Sequence, residues 1–185
     1  WYLGKKIRHD DKKILVYAGS PSMKKERLDY VINYVISSNY DILLKIIGVD
    51  ESTYYRIYGS MIHSPKVEIM GRIDHRRCIK EIQEADYSII IREKNLSVEA
   101  GFPTKFVEAI SAGTPVIATC HSDLGYFIKS GTMNGWLVSE EKISSDMDKI
   151  MQCNFIPPVD RSLFDYHKYI DSMQFFIDNL LAKKQ

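Results

Sequence analysis

Short apolar runs alternate with stretches of helical periodicity along most of this chain, and few folds can absorb that alternation. Residues 13–19 (K-I-L-V-Y-A-G) are apolar after the first lysine and end in glycine, as a strand buried on both faces does. Residues 24–38 then place Leu28, Val31, Ile32, Val35 and Ile36 at helical spacing. Residues 41–49 read as a second buried strand. Asp50-Glu51-Ser52 opens a helix through about residue 62, with Asp50 or Ser52 as its cap. A third strand over 65–71 precedes a helix over 74–85, with Asp74 as cap and Ile79, Ile82 and Ala85 on one face. A fourth strand over 86–92 leads through the polar loop 93–101 to a helix begun by Pro103 and ended by Gly113. Residues 114–119, 123–129 and 135–138 read as strand, short helix and strand. This order predicts an α/β, doubly wound, Rossmann-like parallel sheet of about six strands with helices on both faces. Ligands of such sheets sit beyond the C-terminal strand ends, here residues 19–20, 92–105 and 119–125.

With 185 residues the chain is long enough for one domain with a substantial core. We divide it into a leader or interdomain segment (1–12), a Rossmann-like ligand-binding domain (13–155) and a helical tail (156–185). The tail carries Phe164, Ile170, Met173, Phe176, Ile177 and Leu180 on one helical face. That face is read as packing onto this domain, the alternative being a domain outside the chain. Twenty-five basic against 24 acidic side chains offer no bulk attraction for nucleic acid or an anionic membrane. No run approaches the roughly 20 apolar residues of a membrane-spanning helix. Residues 1–11 lack both an initiator Met and a hydrophobic signal core, which reads as a piece cut from a longer protein. The odd cysteine count (Cys78, Cys120, Cys153) without C-x-x-C spacing speaks against a disulfide framework or structural zinc and for a reducing, cytoplasmic setting. The five histidines are scattered and show no metal-site spacing.

The informative stretch is A-G-F-P-T-K-F-V-E-A, residues 100–109, where a strand hands over to a helix. Gly101 lets backbone approach a ligand closely. Pro103 starts the helix, so the Thr104 and Lys105 amides fall in its unsatisfied first turn and form an anion site with the helix dipole. The Thr104 hydroxyl and the Lys105 ammonium add donors suited to phosphate. Glu108, one turn on, is placed to accept from a vicinal diol such as a ribose. Together these point to a nucleoside diphosphate, although a glutamate near a helix start is favourable without any ligand. Arg92 ends the fourth strand, where it either pairs with phosphate or orders the loop through Glu93 or Glu99. Ser122 or Asp123 is read as a helix cap after the fifth strand.

The run G-F-P-T-K-F-V-E-A-I-S-A-G-T-P-V-I-A-T resembles the donor-site signature of family 4 glycosyltransferases of the GT-B fold, and A-G-F-P-T-K behind a strand-ending Arg resembles its capsular or exopolysaccharide-type subgroup. The resemblance covers roughly residues 13–150. It implies that Glu108 binds the donor ribose and that Gly101, Phe102, Pro103, Thr104 and Lys105 surround the diphosphate. It also implies Gly19 and Lys24 as the loop after the first strand, although Ser20 stands where the family carries Arg. The first glutamate of the family's paired pattern falls at position 100, here Ala100, with Glu99 beside it. The expectation is the donor-binding domain of a retaining transferase that uses a nucleoside diphosphate sugar and needs no metal or other cofactor. Catalytic residues are not assigned beyond Lys105 and Arg92 as phosphate stabilisers. An acceptor domain would come from the same protein and would bring any peripheral membrane association at the inner face. Two alternatives stay open: a sugar-nucleotide epimerase-like domain and a degenerate, non-catalytic GT-B domain.

Overall fold

The computed structural model describes residues 12–22 and 25–182. The segment 1–11 and Lys24, both singled out above, lie outside the described residues. Six parallel strands form one sheet in the order β3-β2-β1-β4-β5-β6. They are β1 (Lys13–Ala18), β2 (Ile42–Ile47), β3 (Val67–Gly71), β4 (Tyr87–Ile90), β5 (Val116–Thr119) and β6 (Gly135–Val138). Each falls within the run that its apolar character marks.

Strand alternation divides the core into two layers. Leu15 and Tyr17 of β1 face a cluster with Leu28, Val31, Ile32 and Val35 of α1 (Leu28–Ser37), Tyr54 of α2 (Glu51–Tyr58) and a later helix, Ile143–Gln152. Ile14, Val16 and Ala18 face the opposite cluster, built on Ile82 of α3 (His75–Glu84) and on the helix Thr104–Ala112. Between α3 and that helix, a single turn α4 (Leu96–Glu99) breaks the polar loop, with Asn95 accepting from Val98 N–H at 3.0 Å. Thr104–Ala112 is α5, followed by α6 (Leu124–Phe127) and α7 (Ile143–Gln152). Asp86, just before β4, is buried yet satisfied: it accepts from Ile14 N–H at 2.8 Å and donates its own amide to Ile14 O at 2.7 Å, fixing the start of β4 to β1.

Several boundaries differ from the periodicity. α1 begins at Leu28 rather than 24, because Glu26 and Arg27 are drawn into backbone pairing with residues 91–92. Ile36, placed on the apolar face by its spacing, is 43% exposed. Asp50 and Asp74 are the caps of α2 and α3, accepting from Thr53 and Arg77 N–H at 2.7 and 3.0 Å. Gly59, left-handed at φ +72°, ends α2 four residues short of the expected 62. Pro103 takes the cap position, so α5 starts one residue later, at Thr104. Asp123 stands at the start of α6 but makes no side-chain cap, nor does Ser122.

The tail behaves in two ways. Val159, Leu163 and Phe164 join the α5 side of the core, and the Arg161 guanidinium lies against Gly113 at the C-terminal end of α5. Residues 166–169 are a 3₁₀ turn, and α8 (Ile170–Ala182) then stands away from the sheet. Its apolar side chains are 43–71% exposed, so the expected packing onto this domain is not made. No helix among the described residues is long and apolar enough to cross a membrane.

The side of the core beneath the site rests on Phe106, fully buried, whose ring meets those of Phe102, Phe127 and Phe164 with centroids 5.7–6.1 Å apart. Truncation by Phe106→Ala is expected to cost about 3–5 kcal/mol. Urea unfolding followed by circular dichroism checks it, and a loss below about 1 kcal/mol would place the ring outside the well-packed core.

Candidate functional site

In the sheet β1 lies between β2 and β4, so the chain winds outwards from β1 in both directions. The crevice beyond the C-terminal ends of β1 and β4 is the switch point at which doubly wound sheets hold ligands. Four side chains meet there: Tyr17 from β1, Glu26 from the segment entering α1, Arg92 just past β4 and Lys105 in the first turn of α5. Glu26 is only 5% exposed, and its carboxylate accepts from the other three. Lys105 Nζ and Arg92 Nη2, the latter at 3.4 Å, share Oε1, while the Tyr17 hydroxyl donates to Oε2. Lys105 Nζ also lies 3.1 Å from the Tyr17 oxygen and 4.5 Å from its ring centroid.

Backbone geometry dictates this meeting. Lys105 extends across Gly19 (φ +147°), and a Cβ on that glycine would collide with the lysine side chain. Arg92 is clamped through its own backbone: its N–H donates to Thr119 Oγ1 at 2.8 Å, and its carbonyl accepts from that hydroxyl at 2.9 Å and from His121 Nε2 at 2.5 Å. Burial draws the Lys105 ammonium below its ordinary range, while the charge of Glu26 opposes the shift. Arg92 Nε is buried without a hydrogen-bond partner among the described residues. Two cations thus share one carboxylate and keep donor capacity for more acceptor oxygens.

The other residues marked in the sequence take distinct places. Pro103 caps α5 without any side-chain hydrogen bond, so none occupies the first-turn amides of Thr104 and Lys105 from the cap position. Thr104 is exposed at that start. A Cβ at Gly101 would meet only Ser97 O at 3.9 Å, so the protein's own packing does not demand glycine there. The Phe102 ring is committed to the phenylalanine cluster, which leaves its backbone as the part facing the loop. Glu108 is half-buried one turn along α5, and its charge acts both on Cys78 of α3, whose thiol is raised by burial first and Glu108 second, and on Lys105. Arg92 pairs with neither Glu93 nor Glu99: Glu93 reaches Arg27 at 3.5 Å, and Glu99 accepts from Ser122 N–H at 3.0 Å and lies 3.5 Å from His121 Nδ1. That backbone contact holds the Glu99 carboxyl below its ordinary range. Ala100, the exposed residue that caps the C-terminal end of α4, offers no carboxylate where the paired-glutamate pattern has one.

Sequence reading missed Glu26 and Tyr17. Glu26 sits in K-K-E-R, which reads as a solvated helix start, and Tyr17 reads as ordinary strand core. The only signal was position, since both bracket the loop after the first strand. A second hollow of about 680 Å³ between α1 and residues 140–145 pairs the carboxylates of Glu140 and Glu141 with the single cation Lys142, a poor match for an anion. Among the described residues no group of three or more His, Cys, Asp or Glu is arranged to hold a metal.

Residues 3–159 match the family described as glycosyl transferases group 1. The chain belongs to this family. No curated protein matches its sequence. Solved glycosyltransferases of the GT-B fold share the sheet. The sucrose-phosphate synthase of Thermosynechococcus elongatus superposes with a TM-score of 0.61 at 18% identity, over 95% of this chain and 47% of that one. Anabaena HepE, solved in complex with UDP and glucose, gives 0.58 at 15% identity over 76% and 38%. The lipopolysaccharide outer core galactosyltransferase WaaB in its apo form gives 0.59 at 20% over 79% and 42%. The group 1 chain thus spans less than half the length of each, and at these identities the likeness is one of fold.

Burial, and then the charge of Glu26, raise the Tyr17 phenol far above its ordinary value of 10.0. The folded chain keeps a proton that the unfolded chain releases, so this contribution is intact below pH 10 and is lost as pH climbs past it. The Tyr17→Phe chain is expected to lose less stability than the wild type between about pH 9 and pH 11 in urea unfolding. Equal losses would mean that the phenol ionises as readily folded as unfolded.

Proposed function

We propose that this group 1 chain is the donor-binding domain of a retaining glycosyltransferase of the family 4 type, acting in polysaccharide or glycoconjugate synthesis. One observation carries the reading. Lys105 and Arg92 converge at the switch point beneath the uncapped start of α5, with Glu108 one turn behind. In this reading the diphosphate takes the α5 amides, the Thr104 hydroxyl and the Lys105 and Arg92 side chains, while Gly19, Gly101, Phe102 and Pro103 shape the loops around it. Lys24, which follows β1 in sequence, is carried over from the family resemblance as a further cation. Glu108 accepts from the ribose hydroxyls. HepE, which holds UDP and glucose, supports a nucleotide-sugar ligand for this fold.

Transfer requires charge to develop on the departing diphosphate. Fixed donors aimed at that charge stabilise the transition state more than the ground state. Lys105, Arg92 and the α5 dipole supply such donors, so the reading calls for no metal or other cofactor. The acceptor and its contacts belong to a further domain of the same cytoplasmic protein, which also provides any association with the inner membrane face. Ala100 favours a second reading, in which the domain binds nucleotide and catalysis has been lost.

Calorimetric titration of the chain with UDP and GDP tests the reading. At least one is expected to bind below millimolar concentration, and Glu108→Ala is expected to weaken it by about 1.5–3 kcal/mol through lost charge-assisted hydrogen bonds. Unchanged affinity in a folded Glu108→Ala chain removes the ribose assignment. Absence of binding by either nucleotide removes the donor-site reading.

A further inference from the structure

The crevice already contains an anion, and it belongs to the protein. Glu26 places one carboxylate oxygen on the two cations that the proposed site would offer to phosphate, Lys105 and Arg92, and accepts from the Tyr17 hydroxyl on the other. We propose that Glu26 is a built-in counter-anion that holds these cations until a nucleoside diphosphate displaces it. Nucleotide affinity is then set by competition between this side chain and the ligand. The inference rests on the donor-site reading above and adds a regulating residue to it.

Three observations support displacement. First, the backbone of Glu26 is anchored independently of its side chain. Its N–H donates to Ser22 O at 2.8 Å, its carbonyl accepts from the Tyr58 hydroxyl at 3.3 Å, and it forms an antiparallel bridge with Arg92. Arg27 N–H adds a bond to Ile91 O at 2.9 Å. The carboxylate can leave by side-chain rotation while the segment stays docked. Second, one carboxylate cannot saturate two cations, and Arg92 Nε has no acceptor among the described residues. A diphosphate brings more oxygens and more charge to the same donors. Third, the two anions cannot share the place comfortably. Lys105 and Arg92 side chains are 14% and 15% exposed, and in such poorly solvated surroundings a carboxylate beside a diphosphate is strongly repelled.

The paired state lowers apparent affinity by the fraction of molecules that hold it. A pair closed in about nine molecules of ten weakens binding about tenfold. The pair also serves the empty domain, because two part-buried cations without a partner are destabilising. Glu26 therefore keeps the site assembled without ligand and sets a threshold for ligand entry.

The test compares the wild-type chain, Glu26→Gln and Tyr17→Phe by calorimetric titration with UDP and, separately, with inorganic pyrophosphate. Glu26→Gln is expected to bind both about tenfold more tightly than wild type. Tyr17→Phe, which loosens the carboxylate and keeps both cations, is expected to shift both the same way by a smaller factor. Tyr17→Phe alone decides the matter if Glu26→Gln does not fold. Unchanged or weaker binding of UDP by the variants, with wild-type UDP binding intact, overturns the counter-anion and leaves the donor-site reading standing. Tighter pyrophosphate binding by the variants, with UDP no better a ligand than pyrophosphate, keeps the counter-anion and overturns the nucleotide reading. Failure of every chain to bind either anion overturns both.

Discussion

Parallel strands cannot be joined by tight turns, and that constraint organises this molecule. Each step between the six strands needs a crossover, and the crossovers are the helices that cover both sheet faces. All the strands therefore end on the same edge. Segments that are far apart in sequence, at residues 19–22, 25–27, 92–101 and 119–123, end on that edge. The outward winding from β1 opens the crevice between β1 and β4, and the start of α5 closes one wall of it. The charged cluster exists because the topology delivers Tyr17, Glu26, Arg92 and Lys105 to one point.

The strands were legible because their signal is coarse. A run such as Y-S-I-I-I, buried on both faces, has few alternatives in a chain with this rhythm. The caps at Asp50 and Asp74 were legible for a local reason, since a short carboxylate before a helix bonds an amide wherever the helix lies. The start of α1 was not, because backbone pairing of residues 26–27 with 91–92 is a long-range bond that periodicity does not encode. The tail helix failed for a related reason: an apolar face announces that something should cover it and says nothing of what.

At the site the same division holds. Lys105, Glu108 and the Pro103 helix start are neighbours in sequence, and one motif contains them. Glu26 is invisible to that motif. Its burial follows from two cations contributed by other elements, and its charge run reads as solvent-facing. Arg92 is marked by its place at a strand end, with phosphate or the adjacent Glu93 and Glu99 as its partners in the sequence reading, whereas Glu26 lies far from it in sequence. Glu99 in turn was taken up by the loop after β5.

α8 has a practical consequence for work on this chain. Phe175, Phe176, Leu180 and Leu181 present bare hydrocarbon to water in the native fold, each at least half exposed. Dyes such as anilinonaphthalene sulfonate, which fluoresce on apolar surface, will light up on correctly folded material. That glow would ordinarily be taken as a sign of a loosened, molten interior. Here it reports an uncovered arm attached to a well-packed body, and near-ultraviolet dichroism is the better gauge of whether the sheet and its helices are intact.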